Sequence, residues 1–329
     1  MSRSSNAQNV WPEGSVTSLI AAAASPLTTA SVFAATTGGL FQSRDGGQSW
    51  TAVNDPARGA AIEVLAISIL RDDGLALFAG AHDGLQRSID AGQTWQSQLF
   101  GSHVLAVATA PRSHEPGEAA SLVLAGTELD GIVRSDDGGR TWQSANAGLW
   151  ELTVLALAFS PQFARDGVAF AGTTSGLYRS RNGGKSWRLV DTALDEVAVQ
   201  CLAVSPRFGI DRLVLAGTEA HGLLRSDDAG TTWQSVSSLA TTGVSALAFS
   251  PDYVAFPEWG AVAAGIGDGV AVSYDAGRTW HSTGHDIGPV LTLAFAQCLG
   301  HEVLLVGTLA RGVASLQRQR GTEAFTNGT

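Results

Sequence analysis

Six times the chain writes almost the same twelve residues. Residues 131–142 read GIVRSDDGGRTW, and close copies occupy 39–50, 84–95, 176–187, 222–233 and 269–280. The closing tryptophans are Trp50, Trp95, Trp142, Trp187, Trp233 and Trp280, a period of 45 to 47 residues. A fixed period of that size belongs to solenoids and propellers, where one repeat cannot bury its apolar face alone and stability is collective.

The core of each copy is Ser-x-Asp-x-Gly-x-Thr-Trp, with Ser49 and Ser186 in place of Thr. Asp45, Asp90, Asp137, Asp228 and Asp275 supply the carboxylate, and Asn182 replaces it in the fourth copy. A short carboxylate accepts backbone N–H groups about two residues on and closes a turn. Glycine two residues later supplies positive φ, and the tryptophan returns to the sheet and buries a large ring. These residues are expected to form turns, not to catalyse. The pattern resembles the Asp-box, or BNR, repeat of sialidases, sortilin-type receptors, xyloglucan hydrolases and photosystem II assembly factor-like proteins. In those families the box joins the third strand of a blade to the outermost strand, away from the ligand face.

Each repeat has an apolar run ahead of its box. The runs lie at 16–24, 64–70, 104–110, 154–159, 199–204, 244–249 and 290–295, which makes seven. Several end in Ser-Pro, and proline stops a strand. A second strand ending in small residues follows each run, as in LVLAGT at 122–127. The inner runs alternate small and large residues, as in LALAF at 155–159, which suits sheets buried on both faces. The expected fold is all-β, a seven-bladed propeller of four-stranded antiparallel blades, six of them with Asp-box turns. It forms a single domain over residues 1–329. After the seventh third strand the box is gone and LQRQR stands at 316–320. Residues 6–11 are expected to complete the last blade and close the ring, and 321–329 to be a frayed tail.

Composition narrows the function classes. The net charge of −10 and pI near 5.1 argue against a nucleic-acid surface. The two cysteines, Cys201 and Cys298, read as buried free thiols and not as a disulfide framework. No apolar stretch is long enough to span a membrane and the N-terminus has no signal-peptide pattern, so the expected location is cytoplasmic.

Candidate binding residues fall in three groups. Arg87, Arg134, Arg179 and Arg225 precede the box Ser in blades two to five, where blades one, six and seven have Gln42, Val272 and Ala314. They read either as strand arginines paired locally or as a basic arc for an acidic partner. In photosystem assembly factor-like relatives an arginine patch is used in the second way. The irregular loop at 251–260 carries Tyr253, Phe256 and Trp259, a candidate aromatic docking site. The rim formed by second-to-third and fourth-to-first loops carries His82, Glu128, Asp130, Glu219 and His221, together with Glu63, His103, Trp150 and Glu151. His82 and His221 lie three blades apart, and no metal site is expected.

No P-loop, dinucleotide fingerprint, nucleophile elbow or His-Glu-x-x-His run is present. A sialidase resemblance would imply an arginine triad and a tyrosine nucleophile, and the chain has only Tyr178, Tyr253 and Tyr274. A xyloglucan hydrolase would imply two propellers, and this chain supplies one. The expected function is a non-catalytic scaffold that binds a protein partner and needs no cofactor. The alternative is a glycan-binding or glycoside hydrolase-like propeller.

Overall fold

Seven four-stranded antiparallel sheets follow one another along the chain, and in the computed structural model they surround one axis as a seven-bladed propeller. The structure describes residues 12, 14–22, 31–53, 61–69, 75–111, 122–191, 196–255, 260–267, 269–298, 301–318 and 325–327. The inner strands are Val16–Ala21, Ile62–Ile69, Val104–Thr109, Val154–Phe159, Val199–Val204, Val244–Phe249 and Val290–Cys298. Each blade runs from inner to outer edge in sequence order, so second-to-third and fourth-to-first loops share one end of the ring. First-to-second loops and box turns share the other. The outermost strands are short, two residues in blades one, three, four, five and six.

One packing device recurs around the ring. The first residue of an inner strand drops into a gap left by a glycine in the second strand of the preceding blade. A Cβ on Gly126 would lie 2.6 Å from Val154 Cγ1, and one on Gly172 2.7 Å from Val199 Cγ1. The same approach joins Gly80 to Val104, Gly217 to Val244, Gly265 to Val290 and Gly307 to Val16. The last of these crosses from blade seven to blade one. Interiors packed to crystal-like density leave no slack at such contacts. Where blade one meets blade two, Ala35 stands at the glycine position and Ile62 replaces valine.

Directly after this first residue every inner strand shifts register by one. The extra residue of each bulge is left unpaired across the sheet. These residues are Thr17, Glu63, Leu105, Leu155, Gln200, Ser245 and Leu291, and together they line a central channel of about 230 Å³. The sequence assigned Glu63 to a loop; its place in a bulge puts it in the channel wall.

The seventh blade corrects the expected closure. Its outer strand is Phe325–Asn327, paired with Val313–Arg318, and Phe325 is buried against Phe295. The segment read as a frayed tail therefore supplies the edge that was assigned to residues 6–11, which lie outside the described residues. Phe325 gains an apolar contact there, and that burial holds the strand. Between blades one and seven the described links are the Val16–Gly307 contact, the Ser15 hydroxyl donating to the Leu309 carbonyl at 2.5 Å, and Leu19 N donating to Thr292 Oγ1 at 3.1 Å.

Candidate functional site

The repeated turn is built alike in all six copies. In blade three the Ser135 hydroxyl donates to Asp137 Oδ1 at 2.8 Å and accepts from Gly139 N at 2.7 Å. Asp137 Oδ1 accepts from the backbone of Arg140 and Thr141, both at 2.9 Å, and Oδ2 from the Thr141 hydroxyl at 2.7 Å. The amides therefore come three and four residues on, not two as the sequence suggested. Asp45, Asp90, Asp228 and Asp275 repeat the arrangement. Asn182 keeps it by accepting from Ser186 N at 3.0 Å and donating Nδ2 to the Ser186 hydroxyl at 2.8 Å. Hydrogen bonds from Thr94 lead in pulling the Asp90 carboxyl down to about 2. At Asp228 burial acts upward, but the Thr232 bonds outweigh it and bring the group to about 2. Acceptors satisfied this fully within their own turn have little left for a ligand.

The closing tryptophans divide in two. Trp50, Trp187, Trp233 and Trp280 are buried, whereas Trp95 and Trp142 are half-buried. The indole N–H of Trp50, Trp95 and Trp280 returns to the carbonyl of the turn glycine, and that of Trp187 to Ala145 of the preceding blade.

The arginines are not a surface. Arg87, Arg134 and Arg225 are buried, and each Nε donates to a backbone carbonyl in the next blade's turn: Gly138 at 2.6 Å, Gly183 at 2.9 Å and Ala276 at 2.9 Å. Arg134 and Arg225 also pair with Asp136 and Asp227. Arg179 is half-buried, lies 6.0 Å over the Phe170 ring and donates to the Thr231 hydroxyl of the next blade. The basic arc read from the sequence is thus spent between blades. Sequence spacing shows that a residue recurs, not what stands across the gap.

Tyr253 is likewise interior. It is 3% exposed, meets Phe249 edge-on and directs its hydroxyl at Asp211 of blade five, 3.4 Å away. Burial, followed by the Asp211 charge, pushes its phenol up to about 12. Phe256 and Trp259 lie outside the described residues. The same end of the ring shows why this loop departs from its neighbours. In blades four and five a buried serine holds an aspartate six residues on: Ser160 donates to Asp166 at 2.7 Å and Ser205 to Asp211 at 2.6 Å. In blade six that place holds Phe256, and Ser250 donates instead to Glu302 of blade seven.

At the other end the rim residues gather on blades two to four. His103 lies between two carboxylates, with Nε2 2.8 Å from Glu63 Oε1 and Nδ1 2.8 Å from Glu128 Oε2. Both ring nitrogens can donate only when the imidazole is protonated. Burial works against that charge, but the bonds to Glu128 and Glu63 outweigh it and raise the His103 pKa. His82 stacks edge-on at 4.6 Å. Ser102 donates to Asp130 at 2.7 Å, and Asn146 Nδ2 to the Asp130 carbonyl at 2.8 Å. The Thr153 hydroxyl donates to the Glu128 carbonyl at 2.9 Å and Gly101 N to that of Asp83 at 2.9 Å. These bonds tie the loops at 82–84, 99–103, 127–131 and 145–153 into one surface. Buried Thr127 shapes its centre, accepting from Asp130 N at 2.9 Å and donating to the Gly131 carbonyl at 3.0 Å. Glu219 and His221 are exposed on blade five, outside this group. Among the described residues no three His, Cys, Asp or Glu side chains are placed to hold a metal ion.

Large apolar side chains stand free on the same surface. Phe100 is 86% exposed, Leu129 75% and Trp150 88%, with Leu152 beside them. Of these the sequence reading singled out Trp150 alone; the others lie in loops too short to carry a compositional signal. Charge is also divided between the two ends. Asp83, Glu128, Asp130, Glu151, Glu196, Glu219 and Asp286 all lie on the rim loops. Among the described residues of those loops the one lysine or arginine is Arg311, which pairs with Asp286. Exposed Arg140, Arg165, Arg181, Lys185, Arg212 and Arg278 lie at the opposite end.

No family model and no curated protein sequence matches this chain. Solved structures do. The xyloglucanase of glycoside hydrolase family 74 from Xanthomonas campestris superposes with a TM-score of 0.70 at 19% identity, over 96% of this chain and 53% of that one. The extracellular domain of a one-component system from B. thetaiotaomicron gives 0.69 at 16%, over 95% and 40%. YCF48 from Cyanidioschyzon merolae gives 0.61 at 15%, over 93% and 95%, and a YCF48 has also been solved bound to a D1 peptide. The likeness is one of fold. This chain spans about half of the xyloglucanase, less of the extracellular domain, and nearly all of YCF48.

Proposed function

We propose that this chain is a non-catalytic scaffold that docks a protein partner on the rim loops of blades two to four. The observation that carries the reading is the exposure of Phe100, Leu129 and Trp150 together on loops hydrogen-bonded into one surface. Contiguous exposed apolar side chains rimmed by polar groups mark interaction sites, and aromatic anchors carry a large share of interface energy. The six carboxylate turns are Asp-boxes in this reading and serve the ring, not the partner. A structural neighbour that holds a peptide on a ring of the same size supports it. The test is recovery of partners from the native host with the parent and with Phe100→Ser and Trp150→Ser. A partner lost in both variants at unchanged melting temperature is expected; a partner retained by both would overturn the reading.

A glycan is the second reading, favoured by Trp150, whose exposed indole suits stacking on a sugar. Binding of the parent to a glycan array, abolished by Trp150→Ser, would establish it in place of the first.

A further inference from the structure

We infer that the partner of this surface presents a lysine or arginine flanked by apolar side chains; the inference rests on the docking reading above and gives it a chemistry. Leu129 sits at the middle of the surface, between Glu128, bonded to blade two's side through His103, and Asp130, bonded to Ser102 and Asn146. Phe100 lies towards one side of it and Trp150 towards the other. A ligand lying across this surface would therefore meet apolar ground at its centre and carboxylates around it. Glu63 and Glu128 already share His103. Asp83, Asp130 and Glu151 stand outside that bridge with no lysine or arginine among the described residues of these loops to answer them. An acidic or phosphorylated segment would be repelled, and a purely apolar one would leave those charges poorly solvated at the edge of the interface. A basic side chain is attracted twice, by the carboxylates and by the face of the exposed Trp150 indole.

The experiment selects random dodecapeptides displayed on phage against the full chain, then measures a labelled synthetic peptide of the enriched sequence by fluorescence anisotropy. Enriched peptides are expected to pair Lys or Arg with Trp, Phe or Leu. Their binding should weaken roughly tenfold in the triple variant Asp83→Asn, Asp130→Asn, Glu151→Gln and at least as much in Trp150→Ser. It should also weaken steeply between about 50 and about 500 mM salt. Enrichment of neutral or acidic peptides, no enrichment at all, or full binding by the triple variant overturns the partner chemistry. Loss of binding in Trp150→Ser under the first or third of those outcomes leaves the docking surface standing, whereas peptides indifferent to both sets of changes remove the surface as well.

Discussion

At the scale of single residues the turns carry strain that the sequence does not advertise. The residue after the box aspartate is left-handed in every copy: φ is 76° at Gly46, 72° at Gly138 and 78° at Gly183, but also 56° at Ala91, 63° at Ala229 and 62° at Ala276. An L-residue pays about 1–2 kcal/mol for that region, and glycine returns part of it through its freer unfolded chain. Ala229→Gly is therefore expected to stabilise the protein by about 0.5 kcal/mol, read as a higher unfolding midpoint; a lower midpoint would show that the turn relieves the strain elsewhere. Glu302 gives a pH-dependent case. Burial, the leading cause, raises its carboxyl above the ordinary 4.5, against the Ser250 hydroxyl that favours the ion, with the Asp252 charge adding to the rise. A carboxyl with a higher pKa folded than unfolded favours folding at low pH, and that contribution is lost as pH rises from 4.5 through the folded value. Glu302→Gln keeps an acceptor for Ser250 and removes the titration. Thermal melts should place the variant level with the parent at acid pH and above it at neutral pH. The opposite trend would mean that the Arg318 pairing, at 3.9 Å, governs the group.

At the scale of elements the joint between blades explains what the sequence could and could not disclose. Val154 and Gly126 interlock across one joint. Gly126→Ala is expected to cost about 1–3 kcal/mol through overpacking, and Val154→Ala in the same chain to recover part of it, a coupling of about 1 kcal/mol in a double-mutant cycle. Additive losses would show that the contact yields freely, as the natural Ala35–Ile62 joint hints it can. The seven blades and their strand order were legible because the Trp period and the small-large alternation of 155–159 are local in sequence. The turns were legible in outline for the same reason, since Asp137 finds all its partners within four residues. The Arg87, Arg134 and Arg225 bonds were not, because each partner lies 49 to 51 residues away in the next repeat. The His103 bridge drew on Glu63, 40 residues before it, and Glu128, 25 after, from loops of unequal length. No repeat alignment brings those three together. The outer strand at Phe325–Asn327 was hidden by the loss of its box, which removed the only marker of a fourth strand in that blade.

At the scale of the whole molecule the joints are not alike. Blades two to five each send an arginine into the turn of the blade that follows, while blades one, six and seven have Gln42, Val272 and Ala314 at that position. The joint between seven and one falls in the second group, and among the described residues no strand of one blade enters the sheet of the other. Native-state hydrogen exchange should therefore find the amides of Val16–Ala21 opening before those of Val154–Phe159; equal protection would show that residue packing alone evens out the joints. The arginine-free stretch also decides how such a ring bears load. A hoop resists outward tension only as well as its weakest junction, so a pull spread around the rim would part blade seven from blade one and leave the bolted arc from two to six whole. Mechanically the molecule is a split collar, able to spring at one place and stiff everywhere opposite, and the surface at blades two to four sits on its stiff side.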